Sequence, residues 1–229
     1  MCLTFCVSQG CSSNAAVTAL LGKRDFSLIQ LQPEDSLAFG KTGTGWPGIY
    51  HWCRQAADQG TGSLSNNAVF DSYDLLLLHV DADVADHTYA SGNIATTAID
   101  LPCQKPCPPP SDTTDALREV VLSWLGEALI PSYTVFCTPS KSIEAWVLAA
   151  LFPADPNVTG GVLECHGDPA VVLSTKPANL RLVRGGKKDV QRYQDRAGDI
   201  EREWPRVRRL CSEAERFSID FLSRLPAAA

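Results

Sequence analysis

Apolar positions fall along the chain in two rhythms. Short apolar runs occur at Leu3–Val7, Phe26–Leu31, Asp74–Val80 and Tyr133–Cys137. Between and after them apolar residues recur at helical spacing: Ala15, Val17, Leu20 and Leu21; then Ile49, Trp52 and Cys53; then Leu117, Val120, Val121, Trp124 and Leu125; then Ile143 to Leu151. Strands alternating with helices in this order predict a parallel sheet covered by helices. Four consecutive leucines, 75–78, predict a strand buried on both faces. The punctuation agrees. Ser12 and Ser13 can cap the first helix and Gly22 can stop it, while Pro139-Ser140 opens a later helix that Pro153 closes.

Two stretches break the rhythm. From Ala82 to Pro110 the pattern fails, and CQKPCPPP removes backbone donors, which predicts an excursion. Residues 154–197 are punctuated by Gly and Pro. A final helix is predicted over about Asp199–Leu225, with Trp204, Val207, Leu210, Ala214, Phe217 and Phe221 as its stripe and Pro205 as a kink or its true start. The fold class that follows is α/β: a mostly parallel central sheet with flanking helices over 1–152, then an irregular segment and a helical C-terminal extension, 153–229, packing on that core.

Composition narrows the picture. With 229 residues, 45% hydrophobic and 20% charged, the chain can bury a sizeable core, which excludes disorder and a small disulfide scaffold. The longest apolar stretch, Ile143–Phe152, is interrupted by Glu144 and is far short of the roughly 20 residues of a membrane span, so no membrane partner is expected. MCLTFCV has no basic lead and reads as a strand rather than a signal peptide, so a cytoplasmic location is expected. Nine scattered cysteines, an odd number, predict reduced thiols. The net charge of −6 is uneven: from Arg181 onward twelve Lys or Arg face eight Asp or Glu. A basic tail suits a polyanion and equally a solvated helix face.

Candidate chemistry begins in LLLLHVDADVADH. Asp81 and Asp83 end an apolar strand, where i and i+2 point to the same side and the two carboxylates converge. Such oxygen-rich pairs suit Mg²⁺ or Mn²⁺; a solvated pair in a turn is the plainer alternative. In CTPSKSIEAWVLAAL, Glu144 stands in the first turn of a helix that follows another buried strand. Loops beyond strand C-termini share the ligand-binding edge of an open α/β sheet, so Glu144 can approach the aspartates, or it can simply complement the helix dipole. Lys141 in the same turn is a candidate for neutralising a phosphate. In VSQGCSSN, Gly10 and Ser12 are candidates for receiving an anion at a helix N-terminus.

The polar-Gly turn, the Asp-x-Asp and the carboxylate-bearing helix together resemble the TOPRIM domain. The segments HVDADVAD and PSKSIEAWVLAALFP look most like an uncharacterised bacterial branch related to OLD-family and phage-defence nucleases. The resemblance covers roughly residues 1–152. It implies metal ligation by Asp81 and Asp83, with Glu144 as the acidic residue of the later helix. The family's first-strand glutamate, a metal ligand or general acid/base, falls on Gln9, and an amide neither shuttles a proton near neutral pH nor adds negative charge. The function implied is a Mg²⁺- (or Mn²⁺-) dependent nuclease or related phosphotransfer enzyme acting on nucleic acid, with a place in phage defence. The alternative is a non-catalytic nucleic-acid or nucleotide binding module that has lost the glutamate.

In the tail, Lys187, Lys188, Arg192 and Arg196 are candidates for holding a nucleic-acid strand, with Tyr193 stacking on a base. Arg202, Arg206 and Arg209 read as the wet side of the last helix. Cys103, Cys107, Cys165 and His166 could together supply four zinc ligands, without the close pairs of a convincing site. His79 reads as a core histidine, and His87 as a candidate for the metal site or acid/base work. Trp46 and Trp52 are candidates for a homodimer or partner interface, or buried tryptophans.

Overall fold

The computed structural model describes residues 2–7, 11–22, 25–31, 45–95 and 99–225. Four parallel strands, β1 (Cys2–Val7), β2 (Ser27–Gln30), β3 (Leu75–His79) and β4 (Thr134–Cys137), lie in the order β2-β1-β3-β4. The crossovers carry α1 (Cys11–Leu21), α2 (Gly45–Gln59) and α3 (Ser111–Leu125), and α4 (Glu144–Leu151) follows β4.

The run of leucines in β3 explains the layering. Leu75 and Leu77 face one core with α1 and α4, whereas Leu76 and Leu78 face a second core with α2 and α3. Each leucine is at most 1% exposed and contributes about 2 kcal/mol by burial. No polar alternation appears because neither face meets water.

The chain beyond 152 belongs to the first core rather than standing apart from it. It forms α5 (Pro156–Thr159), α6 (Pro169–Ser174), a hairpin of β5 (Val183–Arg184) and β6 (Lys187–Lys188), α7 (Val190–Asp195), α8 (Ala197–Leu210) and α9 (Ser212–Arg224). Trp146 of α4 meets Trp204 of α8 edge-on at 5.6 Å and stacks with Phe217 of α9 at 6.1 Å. The single final helix expected from the sequence is therefore two. Pro205 sits inside α8, and the break falls at Cys211, in extended conformation. Leu210, expected in the apolar stripe, is 41% exposed beside that break.

The break has a physical cause in Glu164, which is wholly buried. Its carboxylate accepts from the backbone N–H of Glu213 (3.1 Å), from Ser212 Oγ (2.9 Å) and from Trp146 Nε1 (3.0 Å). It thus supplies the N-terminal turn of α9 with an acceptor from outside the helix. On the other side of α9, buried Arg118 of α3 donates to Thr138 Oγ1 (2.7 Å) and faces Glu213 (3.7 Å) and Asp220 (3.6 Å). Two carboxylates and a strand-end hydroxyl tie α3, β4 and α9 together.

Cys107 and Cys165 form a disulfide across 58 residues, with Cα atoms 5.4 Å apart. This corrects the expectation of reduced thiols at these two positions: the excursion before α3 returns to the turn next to Glu164 at bonding distance. Among the described residues Cys53, Cys137 and Cys211 are buried thiols and Cys103 an exposed one. No helix among the described residues is long and apolar enough to cross a membrane.

Candidate functional site

The strand order reverses between β1 and β3, and the crevice beyond their C-terminal ends is the favoured ligand position of such a sheet. Pairing between β3 and β4 continues past the strands into this crevice. Val80 N–H donates to the Cys137 carbonyl (3.0 Å), Ala82 N–H to that of Pro139 (2.9 Å) and Asp83 N–H to that of Lys141 (3.1 Å). Two loops that would otherwise be free are laddered together, which sets the Asp-x-Asp beside the entry to α4.

Asp81 is held from two sides. Its Oδ1 accepts from the Ile143 backbone N–H (3.0 Å) and from His79 Nε2 (3.0 Å). An ionised carboxylate only accepts, so Nε2 carries the proton. His79 Nδ1 lies 3.1 Å from Ser13 Oγ of α1. Ser13, His79 and Asp81 form a hydrogen-bonded relay, yet Ser13 is 0% and His79 1% exposed. The hydroxyl is shut away from any substrate, and the relay instead orients the imidazole against Asp81. Burial works to raise the Asp81 carboxyl; the His79 ring, Lys188 and the Ile143 N–H overcome it and hold the group below the usual carboxylate range.

Glu144, 1% exposed in the first turn of α4, accepts from Lys188 Nζ (2.7 Å) and from the Tyr193 hydroxyl (3.2 Å). Asp83 completes the group at the rim. Crowding by protein, then the charges of Asp81 and Glu144, push its carboxyl up to about 7 against the pull of Lys188. Burial lowers the Lys188 ammonium, but Glu144, Asp81 and Asp83 more than offset it and raise it above the usual lysine value. Three carboxylates from two distant segments thus share one positive charge, and that charge is a lysine.

The structure separates the remaining candidates. The Lys141 carbonyl takes part in the ladder, and its half-buried side chain makes no ion pair among the described residues. Lys187 is exposed. Arg192 is committed locally, to the Ala178 carbonyl (2.7 Å) and Asp189 (3.3 Å), and Arg196 to Asp199 (3.1 Å). Tyr193 is 3% exposed with its hydroxyl on Glu144, so it is not presented to a base: the expected stacking surface is buried. Gln9 and Gly10 lie outside the described residues; Ser12 falls within α1, and its side chain is likewise outside them.

His87 is exposed, its ring 6.1 Å from that of Trp46. Trp52 is fully buried and Trp46 half-buried, so the first is core and not interface. With Cys107 and Cys165 bonded to each other, the four-ligand zinc grouping is absent. Among the described residues no three His, Cys, Asp or Glu side chains stand together as a metal site in this arrangement.

Sequence reasoning missed Ser13, Lys188 and Tyr193 as partners of the acidic cluster. The turn at Gly185-Gly186, between Val183 and Lys187, was a readable hairpin signal; that its last lysine turns inward was not. Comparison of the chain with protein-family models, curated proteins and solved structures found no match.

Proposed function

We propose that the chain is a Mg²⁺- (or Mn²⁺-) dependent phosphodiesterase or related phosphotransfer enzyme with a TOPRIM-like core, acting on nucleic acid. The observation that carries this reading is that the ladder beyond β3 and β4 sets Asp81 and Asp83 beside the entry to α4, where Asp81 Oδ1 accepts from the Ile143 N–H (3.0 Å) and Glu144 holds the Lys188 ammonium (2.7 Å) at the C-terminal edge of the parallel sheet. The donor set suits a hard cation: it is all oxygen, and the Asp83 carboxyl, raised to about 7, is one that a further positive charge would ionise.

Asp81 and Asp83, with Glu144, would hold the metal. When bound, it would polarise a phosphoryl oxygen and lower the pKa of a bound water. The chain's own residues set this up. His79 and the Ile143 N–H engage Asp81 Oδ1, which leaves Oδ2 without a hydrogen bond among the described residues. Lys141 and Lys187 supply positive charge for a phosphate backbone. Arg192 and Arg196 are already paired and contribute less.

The second reading, a nucleic-acid or nucleotide binding module without catalysis, rests on Gln9, the residue that the TOPRIM resemblance aligns with the family's glutamate and that as an amide cannot do acid/base work. Plasmid nicking with Mg²⁺ and Mn²⁺ tests the two, comparing the chain with Asp81→Ala and Gln9→Glu. Cleavage lost in Asp81→Ala supports the enzyme. Binding without cleavage by both the chain and Gln9→Glu supports the module, and neither binding nor cleavage refutes both.

A further inference from the structure

Lys188 belongs to a small unit set apart from the sheet. The β5–β6 hairpin has two residue pairs, Val183 with Lys188 and Arg184 with Lys187. Its tip, Gly185-Gly186, has φ values of 54° and 74°, conformations that glycine adopts without strain. Val183 is buried and anchors the hairpin, and the Asp189 N–H closes its base on the Leu182 carbonyl (2.9 Å). From this base Lys188 reaches into the acidic cluster. Its ammonium lies 2.7 Å from Glu144 Oε1 and interacts with Asp81 and Asp83, while its side chain remains 40% exposed.

An ammonium on a flexible four-carbon stem needs only a rotamer change to leave, whereas the Asp81 carboxylate is held by His79 and the Ile143 N–H, Glu144 by Tyr193, and the backbone of Asp83 by the ladder. Asp83 feels the charges of both Asp81 and Glu144, yet among the described residues no three donors stand together as a metal site in this closed arrangement.

We propose that Lys188 is a tethered cation that holds the acidic cluster in a metal-free, closed form and is displaced when a divalent ion enters between Asp81, Asp83 and Glu144. This rests on the metal-dependent reading of the site. It makes the hairpin an autoinhibitory contact: a divalent ion competes with an internal charge at fixed, high local concentration. Divalent affinity is weakened by the same interaction that stabilises the empty site. No bond is made or broken; the ammonium stays protonated and moves to solvent.

The test uses the full chain and Mn²⁺ alone. Free Mn²⁺ is read by electron paramagnetic resonance during titration of the chain, Lys188→Gln and Arg184→Gln, the latter an exposed charge of the same hairpin. Removing one charge-assisted hydrogen bond from the competition should tighten Mn²⁺ binding about tenfold or more in Lys188→Gln and leave Arg184→Gln within about twofold. In the unaltered chain, brief acetylation followed by mass spectrometry should show Lys188 modified several-fold more with saturating Mn²⁺, with Lys187 unchanged. This second readout stands whether or not the variant folds. Mn²⁺ binding with equal affinity in Lys188→Gln, or with Lys188 as protected as before, overturns the displacement and leaves the metal reading intact. No Mn²⁺ binding by the chain or by Lys188→Gln overturns both.

Discussion

Replacing Glu164 by alanine separates the support of the site from the site itself. The carboxylate is wholly buried and accepts from Trp146 Nε1, Ser212 Oγ and the Glu213 N–H. Without it, two donors in the interior, the indole and the backbone amide, lose their acceptor, at about 1–3 kcal/mol each. Ser212 is exposed and turns to water. Burial raises the Glu164 carboxyl despite its three donors, so the buried charge is not fully compensated, and part of the gross loss is returned when it goes. The net expectation for Glu164→Ala is about 3 kcal/mol of destabilisation, and about 1 kcal/mol for Glu164→Gln, which keeps one carbonyl acceptor. Urea unfolding followed by tryptophan fluorescence reads this directly. With a slope of about 2–3 kcal/mol per molar for a chain of this size, the alanine midpoint should fall by about 1 M. A fall below about 0.3 M, or a glutamine variant weaker than the alanine one, would refute the assignment of Glu164 as the acceptor that joins α4 to α9.

Two further outcomes follow from the same structure. An aspartate ionises near ~4 in an unfolded chain, whereas Asp83 titrates at about 7 in the fold. The folded state therefore binds the extra proton, and the stability this provides is full below pH ~4 and lost as pH rises through ~7. In metal-free buffer Asp83→Asn should melt higher than the unaltered chain at pH 8, with the difference closing at pH 4; a gap that widens on acidification contradicts the sign. The Cys107–Cys165 bond closes a loop across 58 residues, for which chain entropy gives a stabilisation of about 4 kcal/mol. Cys107→Ser should lower the urea midpoint by an amount comparable to Glu164→Ala, and peptide mapping after alkylation should find Cys107 linked to Cys165; alkylation of both without reductant would exclude the bond.

Much of the core was legible because its signals are local. The leucines of β3 lack polar alternation, and both faces of β3 are covered. Asp81 and Asp83 lie where a strand-end Asp-x-Asp should lie, and Glu144 is in the first turn of the next helix. The segment 154–197 was opaque for the opposite reason. Its helices are of four and six residues, too short to show a period, and are marked instead by caps: Asp155 before Pro156, Asp168 before Pro169, and Asp189, each accepting a backbone N–H. Those Asp-Pro pairs were readable signals passed over. The break at Cys211 was not readable, because the carboxylate that caps α9 comes from Glu164, 48 residues earlier in the chain than Ser212. Nor was the inward turn of Lys188, since nothing local distinguishes it from Lys187.

Glu144 is walled in by side chains contributed from the last quarter of the sequence, Lys188 and Tyr193. Recombination that exchanged the segment after Phe152 as a cassette would strip a buried anion of both its neutralising and its hydroxyl partner. A change on the hairpin therefore acts on the first turn of α4, and any segment grafted after Phe152 must bring its own cation and hydroxyl to this anion.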